Sequence, residues 1–169
     1  NKHGLLSAFE RRESPGRFVE YRGGVKDPST GLTMELTRVE PTSDEWEARL
    51  ERAEAGFRAV EKMVAVGARR EELEDAFVAC LDPDNDRVYG SVVYHTGYDA
   101  REDSIEWDRL REFDYVTLGT TIGDPDGNRA LLLRGTRAVV PDTYRGPKAK
   151  RTGSGSLATP VKNTKTAVD

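Results

Sequence analysis

Trp46, Leu50, Ala53, Phe57, Val60 and Val64 recur at three- and four-residue spacing, so they share one side of a helix. No other feature constrains the fold as strongly. Pro41 stops the segment before the helix, Thr42 and Glu45 make a capping box, and Gly67 suits the left-handed position just past a helix end. A long helix with one apolar side must bury that side, and the segments around it supply the partner.

Those segments alternate in polarity instead of repeating at 3.6. Residues 17–22 partly alternate, Gly23-Gly24 breaks the run, and Lys26-Asp27-Pro28-Ser29-Thr30-Gly31 is a turn cluster. Residues 32–39 alternate again, with Leu32, Met34 and Leu36 on the apolar side, which reads as a half-buried strand hairpin-paired to the first. Residues 1–14 are charged and read as a short helix or a lead-in. After the long helix, residues 69–81 suit a second one with Leu73, Phe77 and Cys80 inward, and Asp82-Pro83-Asp84-Asn85-Asp86 is a turn. Residues 87–95 read as one strand and residues 99–108 as an acidic, irregular or briefly helical stretch. Residues 115–121 and 129–140 read as two strands joined by a tight turn at Asp124-Pro125-Asp126-Gly127-Asn128. The expected class is α+β: a curved, mainly antiparallel sheet with two packed helices. Residues 1–17 are expected to be a lead-in, 18–142 the domain, and 143–169 a flexible basic tail rich in Gly, Ser, Thr, Pro and Lys.

A chain of 169 residues supports one domain with a real core. Charged residues make up 33% and no apolar run approaches the roughly 18 residues of a membrane span, so no membrane partner is expected. Cys80 is the single cysteine, which excludes an internal disulfide and suits a reducing compartment. We expect an intracellular location, cytoplasmic or within a viral particle. No signal-peptide pattern opens the chain, and a start at Asn1 suits a processed or trimmed product. The net charge of −4 is unevenly spread: residues 145–169 carry six Lys or Arg against Asp169, a net +5, leaving −9 on the rest.

Several chemistries find no support. Asp82-Pro83-Asp84-Asn85-Asp86 lacks the glycine and closing glutamate of a calcium loop. Ser91, Ser104 and Cys80 have no histidine at motif spacing, and there are only two histidines in all. Gly153-Ser154-Gly155-Ser156 lies in the tail without the strand and lysine of a phosphate-binding loop.

One set of motifs does point to a family. Glu35-Leu36-Thr37-Arg38 is followed by Pro41-Thr42-Ser43-Asp44-Glu45, then Val66-Gly67 and Glu71-Glu72-Leu73. His95-Thr96-Gly97 follows a strand-like run, and Arg134-Gly135-Thr136 precedes Val139-Val140. In order and spacing, over roughly residues 18–142, this resembles the later part of the pita-bread domain of the M24 family of methionine aminopeptidase, aminopeptidase P, prolidase and creatinase. The family domain has a substantial segment before its first ligand strand, and about twenty residues stand there in this chain.

The resemblance implies a site of two divalent metals held by two aspartates, one histidine and two glutamates, which activates a water for attack on a peptide carbonyl. Carried over by position, the aspartates fall near Gly24 and on Glu35, the histidine on His95, and the glutamates near Gly119 and on Arg134. A second, substrate-binding histidine falls near Glu102. His95 is kept and Glu35 is a chemically plausible substitute, while two glycines offer no ligand atom and Arg134 is a permanent cation. The resemblance therefore implies a catalytically inactive domain with no metal or other cofactor, whose site remnant is Glu35, His95 and Arg134. Arg134 is expected to pair with an acidic neighbour such as Glu35, and His95 with Glu35 or Glu102. A plain core or surface role for His95 stays open beside this. The expected partners are other protein subunits of an assembly, for example a virion or ribonucleoprotein, with RNA or DNA contact through Arg145, Lys148, Lys150 and Arg151. Two alternatives remain: an active hydrolase drawing ligands from Asp27, Asp99 or Glu102, and an accessory factor that binds nucleic acid through residues 145–169.

Overall fold

The computed structural model describes residues 6–26, 33–96 and 107–144. Three nine-residue strands, β1 (Leu6–Ser14), β2 (Phe18–Lys26) and β3 (Thr33–Pro41), form an antiparallel sheet in that order. Two helices follow, α1 (Asp44–Met63) and α2 (Arg70–Val78). A second antiparallel sheet is built on β6 (Tyr115–Gly123), which pairs with β4 (Arg87–Tyr89), β5 (Val93–His95) and β7 (Arg129–Ala138). Neither sheet closes on itself, and the helices pack against them in an α+β arrangement, as expected.

Several details differ from the sequence expectation, each for a physical reason. Residues 6–14 form a strand, not a helix, because pairing with β2 satisfies their backbone. Gly23-Gly24 does not break β2, since Leu36 and Glu35 stand opposite and hold both glycines in the ladder. Leu36, expected on the inward side of β3, is 53% exposed, while Thr37 and Val39 turn toward β7 and α1. The N-cap of α1 is Ser43, not Thr42; the Ser43 hydroxyl accepts from the Trp46 amide, and Asp44, Glu45 and Glu47 complement the positive end of the helix. Gly67 lies three residues past the C-cap at Val64 and donates its amide to the Leu110 carbonyl. Helix α2 stops at Val78, so Cys80 lies in a following turn and is only half-buried. The strand expected over residues 87–95 is two, split at Gly90, whose φ of +83° takes the backbone out of extended geometry.

The core forms where the apolar side of α1 meets the second sheet and α2. Trp46, Ala53, Phe57 and Val60 are buried with Leu73, Phe77, Val93, Val116, Leu118 and Ile122. Phe57 and Phe77 pack at 4.8 Å between ring centroids, and Phe18 and Trp46 at 4.3 Å. The helices approach so closely that a Cβ on Gly56 would stand 2.7 Å from Phe77 Cδ2.

The seam between the sheets is closed by side chains. The Leu131 amide donates to the buried Glu20 carboxylate at 2.9 Å, and the Leu133 amide to the Thr37 hydroxyl at 2.8 Å. Both amides lie on the edge of β7 away from β6, where an unpaired N–H would be costly. Glu20 is further held by Arg22.

Candidate functional site

The register places two of the positions singled out above in one cross-strand pair and the other two beside a bulge. Gly24 stands directly opposite Glu35 between β2 and β3. Gly119 stands opposite Leu133, next to a bulge that leaves Arg134 as the extra residue between Leu133 and Gly135. Gly135, at φ +114°, gives the backbone freedom that the bulge needs.

Alternation then assigns faces. Val93 and His95 pair with Leu118 and Val116, so all four lie on the helix-packed side of the second sheet. Arg137, opposite Val116, shares that side and reaches Glu61 of α1 at 3.0 Å. The bulge turns Arg134 the same way. Its guanidinium meets Glu54 at 2.9 Å and Glu61 at 3.9 Å, both on α1. Arg134 thus finds acidic partners as expected, but on the helix; the expected Glu35 is not what holds it. The physical reason is the bulge, which no alternation rule anticipates.

His95 is held by its own neighbours. Its Nε2 lies 3.3 Å from an Asp114 carboxylate oxygen, and its ring meets Trp107 edge-on at 5.5 Å. Its Nδ1 is buried without a hydrogen-bond partner. The expected partner Glu35 is replaced by Asp114, which a tight turn beginning at Arg111 brings beneath β5. Glu35 is half-buried on β3. The remnant set is therefore split: His95 answers to Asp114 and Arg134 to α1, while Glu35 stands opposite Gly24 in the other sheet.

The opposite side of the second sheet carries hydroxyls. Thr96 and Thr117 lie 2.7 Å apart and Thr117 and Thr136 3.0 Å apart, a row running from the residue after β5 across β6 to β7. Gly119 follows on the same side by alternation. A Cβ there would run into Leu133 Cδ2 and stand 2.7 Å from the Leu132 carbonyl oxygen, so Leu133 fills the space a longer side chain would need. Neutral hydroxyls bonded to one another do not supply the anionic oxygens that hard dications require. Among the described residues, no three His, Cys, Asp or Glu side chains converge as a metal ion would need. The described residues at these positions do not supply the ligands of a dinuclear centre. Asp27, Asp99, Glu102 and the tail cations Arg145, Lys148, Lys150 and Arg151 lie outside the described residues.

Sequence reasoning missed the strongest charged cluster. Arg49 is fully buried on α1 and donates to Asp86 at 3.0 Å, Glu45 at 3.0 Å and the Asn85 carbonyl at 2.9 Å, while Arg52 grips Asp86 with two further bonds. Burial opposes charge on Asp86, but bonds from Arg52 and the Asp82 amide outweigh it and hold its carboxyl below the ordinary value. Asp124 is a second hub. Burial again opposes its charge, and bonds from Asn128, Trp46 and Arg17 prevail, leaving its pKa lowered. The signal was present: Arg49 is three residues from Trp46, on the inward side of α1.

No protein-family model matches the chain, and no curated protein matches it by sequence. Among solved structures it is similar to a methionine aminopeptidase from Thermotoga maritima, at 14% identity and a TM-score of 0.55, over 74% of this chain and 61% of that one. The fold is thus of the pita-bread kind found in that aminopeptidase, and the chain spans about three fifths of the neighbour's length. No helix among the described residues is long and apolar enough to cross a membrane.

Proposed function

We propose that the chain is a catalytically inactive relative of the pita-bread metallopeptidases and works as a structural or binding component of a larger assembly, such as a virion or ribonucleoprotein particle. The register carries this reading. Ligands shared by two metals must be near neighbours, and directly opposed strand residues have Cβ atoms about 4.5–5.5 Å apart. Of the four strand positions where the resemblance calls for carboxylates, Gly24 and Glu35 are directly opposed, while Gly119 stands opposite Leu133 and Arg134 is the extra residue of the bulge beside it. Only Glu35 among them is an acid, Leu133 fills the space beside Gly119, and Arg134 turns to α1. A scaffold retained without its ligands is free to serve through its surfaces, and the acidic body with a basic tail suits contacts with other macromolecules.

An aminopeptidase assay on the full chain with added cobalt or manganese tests the proposal. No turnover above a protein-free control is expected. Turnover that disappears in a His95→Ala variant would overturn it.

A further inference from the structure

The two sheets meet along β3 and β7 through side chains, not through a backbone ladder, and the junction leaves a cavity of about 270 Å³ beside α1. Val39, Leu50, Phe57 and Leu132 give it apolar walls. Phe57 is buried, while Val39, Leu50 and Leu132 are half-buried, so the cavity reaches the surface. The hydroxyl row of Thr96, Thr117 and Thr136 takes no part in it. Pockets that hold drug-sized ligands span roughly 300–1,000 Å³, so an occupant of this one is small. Its apolar part gains by leaving water for the walls.

Two donors and one acid complete the lining. Arg134 enters it from the bulge of β7. The Thr37 hydroxyl oxygen already accepts the Leu133 amide, which leaves its proton to donate. The acid is Glu54, 2.9 Å from Arg134 Nη2. The charges around it are uneven. Arg58 reaches Glu54 at 3.4 Å, Arg137 reaches Glu61 at 3.0 Å, and Arg134 lies 3.9 Å from Glu61. Three guanidinium groups thus share two carboxylates, and one positive charge is left over. The Arg134 and Glu54 side chains are 35% and 36% exposed, and pairs so open to water contribute little. A second carboxylate can therefore replace Glu54 on the guanidinium fork, which matches carboxylate geometry. Glu54 then keeps Arg58, one turn along α1, and Glu61 keeps Arg137.

We propose that this cavity binds a small amphipathic carboxylate, its phenyl or branched-chain body against Leu50, Phe57 and Leu132 and its carboxylate on Arg134 and the Thr37 hydroxyl in exchange for Glu54. The walls ask for hydrocarbon, the donors ask for an acceptor, and the single surplus charge asks for a monoanion. The site goes beyond the proposed assembly role and does not rest on the absence of catalysis.

Titration of the full chain with phenylacetate, followed on its backbone amide resonances by NMR, tests this beside phenylacetamide, which keeps the shape without the charge. The carboxylate binds about tenfold or more tightly than the amide, as a hydrogen-bonded charge requires. The shifts centre on the Val39, Leu132 and Leu133 amides. Arg134→Gln removes the preference for the carboxylate. Glu54→Gln, which frees Arg134 of its competitor, tightens phenylacetate several-fold and leaves phenylacetamide unchanged. That variant keeps the shape of the side chain, so it decides the question even where Arg134→Gln fails to fold. No binding at millimolar phenylacetate, equal affinity for the two compounds, or shifts centred elsewhere overturns the proposal. So does inorganic phosphate that binds as tightly as phenylacetate, or a Glu54→Gln variant that binds phenylacetate no better than the wild type.

Discussion

A Cβ on Gly119 would stand 2.4 Å from Leu133 Cδ2 and 2.7 Å from the Leu132 carbonyl oxygen. The Leu133 side chain can turn aside, but the Leu132 oxygen is backbone in the β6–β7 ladder and cannot move without disturbing it. A Gly119→Glu variant is therefore expected to lose about 1–3 kcal/mol of stability through overpacking. It is also expected to gain no affinity for divalent metal. Urea unfolding and cobalt titration of the variant check both, and wild-type stability with new cobalt binding would show that the space is open.

Asp86 is the counter-charge of the buried Arg49, which also keeps one guanidinium nitrogen, Nη1, without a partner. Removing the carboxylate leaves a cation in the core with Glu45, a carbonyl and the face of Trp46 for company. We expect Asp86→Ala to destabilise by about 3–5 kcal/mol, as for other broken buried pairs. Replacing Arg49 and Asp86 together by apolar residues costs less than the sum of the single changes. A double-mutant cycle by chemical denaturation reads the coupling.

The same chemistry sets the acid limb of stability. Asp86 and Asp124 are both held below the ordinary value of 3.8 in the folded chain. A depressed native pKa means that the folded state keeps the charge better than the unfolded one, so the contribution is fully present above the unfolded value. It fades as pH falls through 3.8 and is gone below the native values. Thermal unfolding should show a Tm that is flat from neutrality to about pH 5 and falls steeply below about pH 4, with a shallower fall in Asp124→Asn.

Glu20 closes the seam between the sheets by accepting the Leu131 amide, and it is fully buried. Glu20→Ala strands that amide, at an expected cost of about 1–3 kcal/mol. Hydrogen exchange at Leu131 should accelerate relative to amides within the β6–β7 ladder. Unchanged protection there would mean that the seam is held by something else.

The long helix, its apolar side and the β6–β7 hairpin were legible because period and turn chemistry are local; the pairing of β2 with β3 was legible too, but not the side on which Leu36 lies nor the continuity of β2 through Gly23-Gly24. The single strand expected over residues 87–95 was not, since a left-handed Gly90 looks like any other glycine until its φ is known. Arg134 shows the limit best. Its place in the chain pointed to the metal position, but one extra residue in the ladder sends it to Glu54 and Glu61. Bulges depend on pairing between distant strands and leave no local mark. His95 likewise takes Asp114, a residue nineteen positions on, which only the fold brings near. Pro41 and Ser43 show the reverse: the helix start was readable to within one residue because a cap is written in adjacent side chains.

Metal stoichiometry tests most directly the proposal that the scaffold lacks a metal centre. The purified full chain, incubated with cobalt or manganese and freed of excess ion, should contain far less than one metal per chain by elemental analysis. Two tightly held metals per chain, reduced in His95→Ala, would contradict the account and make this an enzyme site built from ligands other than those traced here.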